Sequence, residues 1–317
     1  MSGPIPDAVP VPAPRPARTP RSPKGTTDVS SMTSSEAREF SRPGTGAGLL
    51  DVYRRRYLLS LLVRKEVQVR YRGSVLGWLW SYVKPAAQFA VFFIAMGVFL
   101  RLNQNQVNYP IYLFSGIILI NFYTEAFSNS TKSLVDNGAL IKKIYLPREL
   151  FPVSSTFVAL VNFLPQLVIL LVVCLFVGWA PTPVQVLGIL LGVAIIGTLA
   201  IGLGMLFGAA NVSFRDSQNF VELIVMVVVW ASPVLYPFAQ VRDVLPDWLL
   251  VVYQLNPVTA AVELFHAGFW YPTTGGTGDL PENLWMYGFI ALGVSLLSLL
   301  LGQLVFKKLE GRFAQDL

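Results

Sequence analysis

Long apolar runs separated by short charged or proline-containing stretches dominate the chain beyond about residue 78. A helix rises about 1.5 Å per residue and a bilayer's hydrocarbon core is about 30 Å thick, so runs near 20 residues predict membrane-spanning helices. The charge-free run between Glu149 and Arg215 is too long for one span, and Pro181-Thr182-Pro183 divides it. Six spans are predicted, over about residues 78–100, 111–131, 152–179, 184–210, 222–236 and 283–306.

These runs lack the two-residue alternation of a membrane β-barrel, and an open sheet cannot satisfy its backbone in lipid. The predicted fold is therefore an all-α integral membrane protein, a six-transmembrane-helix bundle over residues 77–307. Residues 1–48 differ in kind, because they hold nine prolines and almost nothing to bury. They predict a disordered, Pro-rich cytoplasmic tail.

Two further segments are apolar but too short to cross. Leu49–Arg72 mixes leucines with many basic residues and predicts a cytoplasmic interfacial helix over residues 49–76, held by anionic membrane lipid or partly packed on protein. Its candidate contact residues are Arg64, Lys65, Arg70 and Arg72. Residues 238–282 carry two short apolar pieces, Trp248–Val252 and Val262–Trp270, and predict re-entrant or interfacial half-helices at the outer face.

The distribution of charge predicts the orientation. Hydrophobic residues make up 54% of the chain, charged residues 13%, and the net charge is +6. Of the 24 Lys and Arg, Lys84 lies near the start of span one and only Arg101 and Arg242 fall on the other face; the remaining ones precede span one, join spans two and three or four and five, or follow span six. The positive-inside rule therefore predicts a multi-pass protein of the cytoplasmic membrane with both termini cytoplasmic, including residues 308–317, and argues against nucleic-acid binding.

The loop from Lys132 to Glu149 is longer than a simple helix connection requires. A short helix there is expected to expose an apolar patch beside two lysines. A partner subunit or lipid headgroups could cover this patch. The patch residues are Leu140, Ile141, Ile144 and Tyr145, beside Lys142 and Lys143.

Several residues in the predicted spans carry possible function. Glycines crowd span four, including the pairs Gly188/Gly192 and Gly204/Gly208, which predicts close helix packing within one bundle or self-association. Glu125 and Glu222 are acidic residues at membrane depth, and each lies about two turns from a basic residue, Lys132 and Arg215 respectively. Interfacial pairing is therefore the main alternative to a functional role for these carboxylates.

Motifs for common chemistry are missing from the sequence. No carboxylate lies near the centre of a span, which argues against transport driven by protons or sodium. No Gly-x-x-x-x-Gly-Lys-Ser/Thr motif is present, so this chain is not expected to bind ATP in the usual way. A single histidine, His266, and a single cysteine, Cys174, exclude a histidine metal site and a disulfide within the chain.

Motifs in order along the chain resemble the type-two ABC exporter permeases. Residues 70–80 (Arg-Tyr-Arg-Gly-Ser-Val-Leu-Gly-Trp-Leu-Trp), followed by Lys84-Pro85, are similar to the start of the family's first span. Residues 142–149 (Lys-Lys-Ile-Tyr-Leu-Pro-Arg-Glu) look like its second cytoplasmic segment, and residues 211–216 look like its loop after span four, with Asn211, Arg215 and Asp216 as candidates. Asn256-Pro257 resembles the outer region, where His266 stands in place of an expected arginine. The closest resemblance is to Wzm-type permeases that export lipid-linked O-antigen, teichoic acid or galactan.

This resemblance implies a transport subunit and not an enzyme. It implies a homodimer of twelve spans bound to two copies of a separate P-loop ATPase, with ATP and Mg on that partner and no cofactor, catalytic residue or metal on this chain. The implied ATPase-coupling residues are Leu140, Ile141, Lys142, Lys143, Ile144, Tyr145, Leu146, Pro147, Arg148 and Glu149. The interfacial helix is expected beside the same partner.

A lipid-linked polysaccharide substrate requires a wet path, because each unpaired hydroxyl in hydrocarbon costs roughly 4 to 8 kcal/mol. Aromatic side chains offer flat faces to sugar rings, and the candidates for such a lining are Trp78, Trp80, Tyr82, Phe89, Phe92 and Phe93. Two alternatives remain open. One is a partner-independent secondary transporter or channel. The other is a membrane glycosyltransferase that would use the carboxylates of Asp243, Asp247, Asp279 and Glu282.

Overall fold

The computed structural model describes residues 48–73, 77–144, 146–311 and 313, and this part of the chain contains helices and no strands. The predicted tail lies outside the described residues except for Gly48, and so do residues 314–317. The α-helices are α1 (Leu49–Arg54), α2 (Arg56–Tyr71), α3 (Trp80–Phe92), α4 (Leu102–Asn105), α5 (Tyr109–Asp136), α6 (Gly138–Lys143), α7 (Leu150–Phe176), α8 (Pro183–Ser213), α9 (Ser217–Trp230), α10 (Phe238–Val244), α11 (Asp247–Leu255), α12 (Pro257–Phe265) and α13 (Leu284–Glu310). π-helical turns extend α3 over Phe93–Phe99 and α12 over His266–Trp270.

Five of the described helices are long and apolar enough to cross a membrane: α3 with its π-helical extension, α5, α7, α8 and α13. Each overlaps one of the predicted spans. The prediction of an all-helical membrane protein is therefore confirmed. A bent pair, Asp247–Leu255 with Pro257–Thr274, meets at 81° and forms either a broken span or a re-entrant loop.

The predicted fifth span differs from the structure. Its helix, α9, runs from Ser217 to Trp230 rather than over 222–236, and at 14 residues it rises only about 21 Å. The chain leaves the helix before Pro233 and Pro237 because proline cannot supply the next backbone donor. The six-span topology therefore stays a prediction.

Local sequence explains where the other helices begin and bend. Thr182 caps α8 through a capping box with Gln185, and Pro183 occupies the first turn. Asn256 caps α12 by accepting a hydrogen bond from the Val258 amide at 3.1 Å, and Pro257 follows it. The 81° bend lies at this Asn-Pro pair.

Two hydrophobic clusters hold the bundle together. The larger one surrounds α5, most of which is buried between α7, α8, α9 and α12. The smaller one lies at the end of α5 near Asp136, where α1, α2, α6, α7, α8 and the end of α13 meet. We call this the loop end, and the opposite end, where α10–α12 pack near Tyr109, the hairpin end.

The glycines of α8 pack inside the bundle. An added Cβ at Gly202 would lie 2.5 Å from the Leu299 amide nitrogen, and one at Gly302 would lie 2.2 Å from the Gly202 carbonyl oxygen. Gly204 approaches Ser130 of α5 in the same way, and Gly192 approaches Phe265 of α12. The predicted close packing within one bundle is confirmed at these positions.

Candidate functional site

A polar cleft with a volume of about 790 Å³ opens between α3, α5 and α7, with Arg70 of α2 at its margin. Its walls come from helices that are otherwise apolar enough to span a membrane. The lining residues are Arg70, Trp80, Ser81, Lys84, Pro85, Gln88, Asn121, Thr124, Glu125, Asn129, Asn162 and Gln166.

Three polar stripes with helical spacing build this cleft. Side chains four residues apart lie on the same face of a helix. The stripes are Lys84 and Gln88 on α3, Asn121, Glu125 and Asn129 on α5, and Asn162 and Gln166 on α7. Because the three helices turn these faces toward one another, polar groups that would be costly in lipid share one cleft.

Glu125 is the centre of the hydrogen bonding in the cleft. Arg70 forms an ion pair with its carboxylate, and the Asn162 amide donates to the same oxygen at 2.7 Å. The Arg70 and Glu125 side chains are 35% and 27% exposed, so the pair lies at the cleft wall and not in the core. The Asn121 amide donates to the Gln88 side-chain oxygen at 2.9 Å and links α5 to α3.

The ion pairs differ from those that sequence spacing indicates. Glu125 pairs with Arg70 rather than Lys132, and Lys132 lies 3.6 Å from Glu222 instead. Arg215, the expected neighbour of Glu222, is exposed. Both carboxylates do pair with basic side chains, but these side chains come from other helices. Helix packing brings them closer to the carboxylates than the basic residues that lie about two turns away in the sequence.

Sequence reasoning missed the amide residues of the cleft. The charge of Glu125 and the aromatic side chains mark candidates in the sequence, whereas the uncharged Gln88, Asn121, Asn129, Asn162 and Gln166 do not stand out individually. The signal is present in the sequence, since polar residues recur every fourth position in three apolar runs.

The six aromatic candidates separate into different environments. Trp80 lines the polar cleft, and Tyr82 and Phe89 line an apolar groove beside it. Phe92 and Phe93 pack against the large hydrophobic cluster. The side chain of Trp78 lies outside the described residues.

The predicted coupling residues gather at the loop end. The Lys65 ammonium donates to the Asn137 side-chain oxygen at 3.2 Å, which joins α2 to the start of α6. Arg148 donates to the Glu310 carbonyl oxygen, and its guanidinium lies 5.7 Å from the centre of the Phe313 ring. The segment after α6 is thus attached to α13.

The predicted apolar patch on this loop needs correction. Ile141 is buried in the small cluster with Leu150 and Phe151, and Leu140 packs against that cluster. Ile144 is exposed, and so are Lys142 and Lys143, whereas Tyr145 lies outside the described residues. The patch is smaller than expected because α6 turns its apolar face toward the bundle.

Of the remaining candidates, Leu146, Pro147 and Arg148 are half-buried and Glu149 is buried. Burial raises the pKa of the Glu149 carboxyl. Asn211 is buried and donates to the Thr131 carbonyl oxygen at 3.3 Å, while Asp216 is exposed. Asn211 therefore joins α8 to α5, and Asp216 lies in the surface loop.

α2 is docked on α7 through the half-buried carboxyl of Glu66. The hydroxyls of Ser154 and Ser155 donate to Glu66 at 3.2 and 3.5 Å. Burial raises the pKa of Glu66 above its ordinary value, although these hydrogen bonds and the charge of Lys65 act in the opposite direction. Of the basic candidates on and after α2, Arg64 and Arg72 are exposed.

At the hairpin end, side-chain hydroxyls donate to backbone carbonyls of the segment that follows α9. Tyr109 donates to the Leu235 carbonyl at 2.8 Å, and Tyr112 donates to those of Pro233 and Tyr236, both at 3.0 Å.

Arg242 forms an ion pair with Asp279 at 2.8 Å, so this carboxylate is already engaged by a base. Among the described residues, no group of His, Cys, Asp and Glu could hold a metal ion.

Comparison with known families gives a decisive match over most of the chain. A family model described as "ABC-2 type transporter" matches residues 57–270, from α2 through the hairpin end, and so includes the whole cleft. The chain belongs to the ABC-2 type transporter family. The family resemblance predicted from the motifs is therefore confirmed.

Named relatives of this ABC-2 protein come from several bacteria. It is 31% identical over 226 residues to the O-antigen export system permease protein RfbA of Myxococcus xanthus, covering 69% of this chain and 83% of the relative. It is 27% identical over 272 residues to RfbA of Klebsiella pneumoniae, covering 82% and 96%. The capsule polysaccharide export inner-membrane protein CtrC of Neisseria meningitidis is 23% identical over 252 residues, covering 77% and 88%.

Proposed function

We propose that this ABC-2 protein is the transmembrane permease subunit of an ABC transporter that exports a lipid-linked polysaccharide of the O-antigen, teichoic acid or galactan type across the cytoplasmic membrane. The observation that carries the proposal is the polar cleft formed by three facing stripes within apolar helices. Its relatives are named as export proteins for O-antigen or capsule polysaccharide, and these names indicate the class of substrate.

Carbohydrate chemistry supports this role for the cleft. Amide, carboxylate and guanidinium groups pair with sugar hydroxyls, which would otherwise lose roughly 4 to 8 kcal/mol each in hydrocarbon. Trp80 adds an aromatic face at the same site. The aromatic lining proposed for the conduit consists of Trp78, Trp80, Tyr82, Phe89, Phe92 and Phe93.

A homodimer supplies the rest of the conduit. One six-helix bundle encloses little space, whereas two can enclose a wet path between them. The contact between the two copies is proposed at α3 and α9, which, like α7 and α13, leave large apolar side chains exposed. In the dimer, α9 serves as the fifth span, and the basic loops and both termini lie in the cytoplasm.

Energy comes from two copies of a separate P-loop ATPase, which bind ATP and Mg. The contact proposed for this partner is the loop end, where Lys142, Lys143 and Ile144 are exposed on and beside α6. Because Lys65 contacts Asn137 and Arg148 contacts Glu310, a displacement of this segment is transmitted to α2 and α13. Such coupling requires that the ATPase contacts the segment differently in its two states.

The test is depletion of this protein in cells that make the glycan. Lipid-linked glycan should accumulate on the inner leaflet, and export should return when the chain and its ATPase are both restored. A secondary transporter or channel would instead move the substrate across liposomes without nucleotide or ATPase. That result would overturn the proposal.

A further inference from the structure

An apolar groove of about 320 Å³ lies beside the polar cleft, and two of its lining residues, Tyr82 and Phe89, are among the aromatic candidates for the conduit. α3, α5 and α7 form its walls, with side chains that include Ala86, Phe89, Ile111, Phe114, Ile169 and Val173. Pro85 and Gln166 line both the groove and the cleft. The two cavities are therefore neighbours along the same three helices, and one is polar where the other is apolar.

The groove is open to the surroundings of the bundle. Ile169 and Val173 line it and are 40% and 43% exposed. On the other wall, α3 has only Pro85 buried, so α3 covers the groove without packing tightly against α7. In a bilayer, an apolar chain can reach this groove sideways from the hydrocarbon.

Gln166 carries an unsatisfied acceptor at the junction. Its side chain is 7% exposed, and its amide nitrogen donates to the Asn162 carbonyl at 3.1 Å. The side-chain oxygen of Gln166 is buried without a hydrogen-bond partner among the described residues. Buried polar atoms are normally paired, so this oxygen indicates a missing hydroxyl or amide donor.

Lys84 supplies a charge at the same junction. It lines the polar cleft next to Pro85, and the described residues offer its exposed ammonium no carboxylate within ion-pair distance. A phosphate group between cleft and groove would gain a charge-assisted contact there.

We propose that the groove holds the hydrocarbon chain of the lipid that carries the glycan, with its phosphate at Lys84 and its first sugar hydroxyl on the Gln166 oxygen. This inference rests on the proposed function, and it assigns each part of an amphiphilic substrate to a place on the chain. The groove itself, at about 320 Å³, is large enough for a stretch of such a chain, because small-molecule sites usually occupy about 300–1,000 Å³.

The test uses the full-length protein with its ATPase in nanodiscs and a diazirine-labelled polyprenyl phosphate as the probe. Photolysis should place crosslinks on α3 and α7 peptides that line the groove. Ile169→Trp, which fills the groove, should reduce crosslinking about tenfold. Val172→Trp is the matched control, because Val172 is 45% exposed on the same helix and does not line the groove.

A second variant tests the polar end independently of groove packing. Lys84→Gln should weaken binding of polyprenyl phosphate about tenfold and leave binding of uncharged polyprenol unchanged, because only the phosphate uses the ammonium. Equal effects on both probes would overturn the assignment of Lys84.

Three outcomes would overturn the groove assignment while leaving the proposed function intact. In the first, phosphatidylglycerol suppresses crosslinking as strongly as unlabelled polyprenyl phosphate does, and the groove is an ordinary phospholipid site. A disulfide between two copies of Ile169→Cys would indicate that a second copy fills it. Equal crosslinking in Ile169→Trp and wild type would place the probe elsewhere. The depletion experiment tests the proposed function separately. That function fails if depletion of the protein causes no accumulation of lipid-linked glycan.

Discussion

The imidazole of His266 lies flat against the ring of Tyr112, with ring centroids 3.7 Å apart and planes inclined by 22°. Both side chains are buried, and the His266 Nδ1 atom is 3.5 Å from Glu263. The Tyr112 hydroxyl meanwhile donates to the segment after α9. One residue of α5 thus contacts both α12 and the break beyond α9, and it holds the hairpin end together.

Removing that hydroxyl should therefore weaken the hairpin end. Tyr112→Phe leaves the buried Pro233 carbonyl and the half-buried Tyr236 carbonyl without this donor, at a cost of about 1–3 kcal/mol. Thermal unfolding in nanodiscs measures the loss. Tyr287→Phe, at a half-buried tyrosine of α13, is the control and should change stability little. Equal melting temperatures for Tyr112→Phe and wild type would contradict the anchoring role.

The close approach of α8 and α13 makes a second prediction. Gly202→Ala places a Cβ against the Leu299 backbone and should separate the helices, with a loss of about 1–3 kcal/mol. Gly293→Ala on α13 meets nothing within 4 Å and should stabilise the helix by up to about 1 kcal/mol. Melting temperatures that move in the same direction for both variants would refute the packing argument.

The Arg70 and Glu125 side chains allow a double-mutant cycle. Because both are partly exposed, we expect a coupling of about 1 kcal/mol between Arg70→Gln and Glu125→Gln. Unfolding of the two single variants and the double variant gives this value. Strict additivity would mean that the ion pair contributes nothing beyond its separate charges.

The Glu66 carboxyl predicts a dependence on pH. Its pKa is raised in the folded protein, so its contribution to stability is full below the unfolded pKa and is lost as pH rises through the folded pKa. Glu66→Gln should therefore gain stability relative to wild type as pH rises above the ordinary carboxyl pKa of about 4.3. Melting curves across this range test the sign, with Glu282→Gln, at an exposed carboxylate, as control. A difference that shrinks with rising pH would contradict the assignment.

The loop end should transmit the action of the ATPase. Ile144→Asp adds a charge to an exposed apolar position beside α6 and should reduce export at least about tenfold while hydrolysis and membrane insertion continue. Val244→Asp makes the same change on α10 at the hairpin end and should leave coupling intact. Wild-type export in Ile144→Asp would remove α6 from the coupling contact.

The sequence predicted the spans well because hydropathy and helix length depend on local composition. It failed at α9, since Pro233 and Pro237 end the apolar run but the helix stops before both. The segment beyond that helix end is held by hydroxyls of Tyr109 and Tyr112, which lie more than a hundred residues away in the chain.

The cleft was predictable only in part. The four-residue recurrence of polar side chains is visible in the sequence, but it does not reveal that the three stripes face one another. The partner of Glu125 illustrates the reason, because Arg70 reaches it from α2 while Lys132 turns to Glu222. Ile141 shows the same effect in an apolar residue, which is buried because α6 turns toward the small cluster.

The backbone contact between Gly202 and Gly302 also limits how this protein can move. With no side chains between them at this contact, α8 and α13 have no room to slide or rotate against each other. The two helices should therefore move as one rigid body. α3 has only Pro85 buried and lacks such a clamp. If the passage widens for a bulky cargo, α3 should therefore be the helix that moves, while α8 and α13 stay in place.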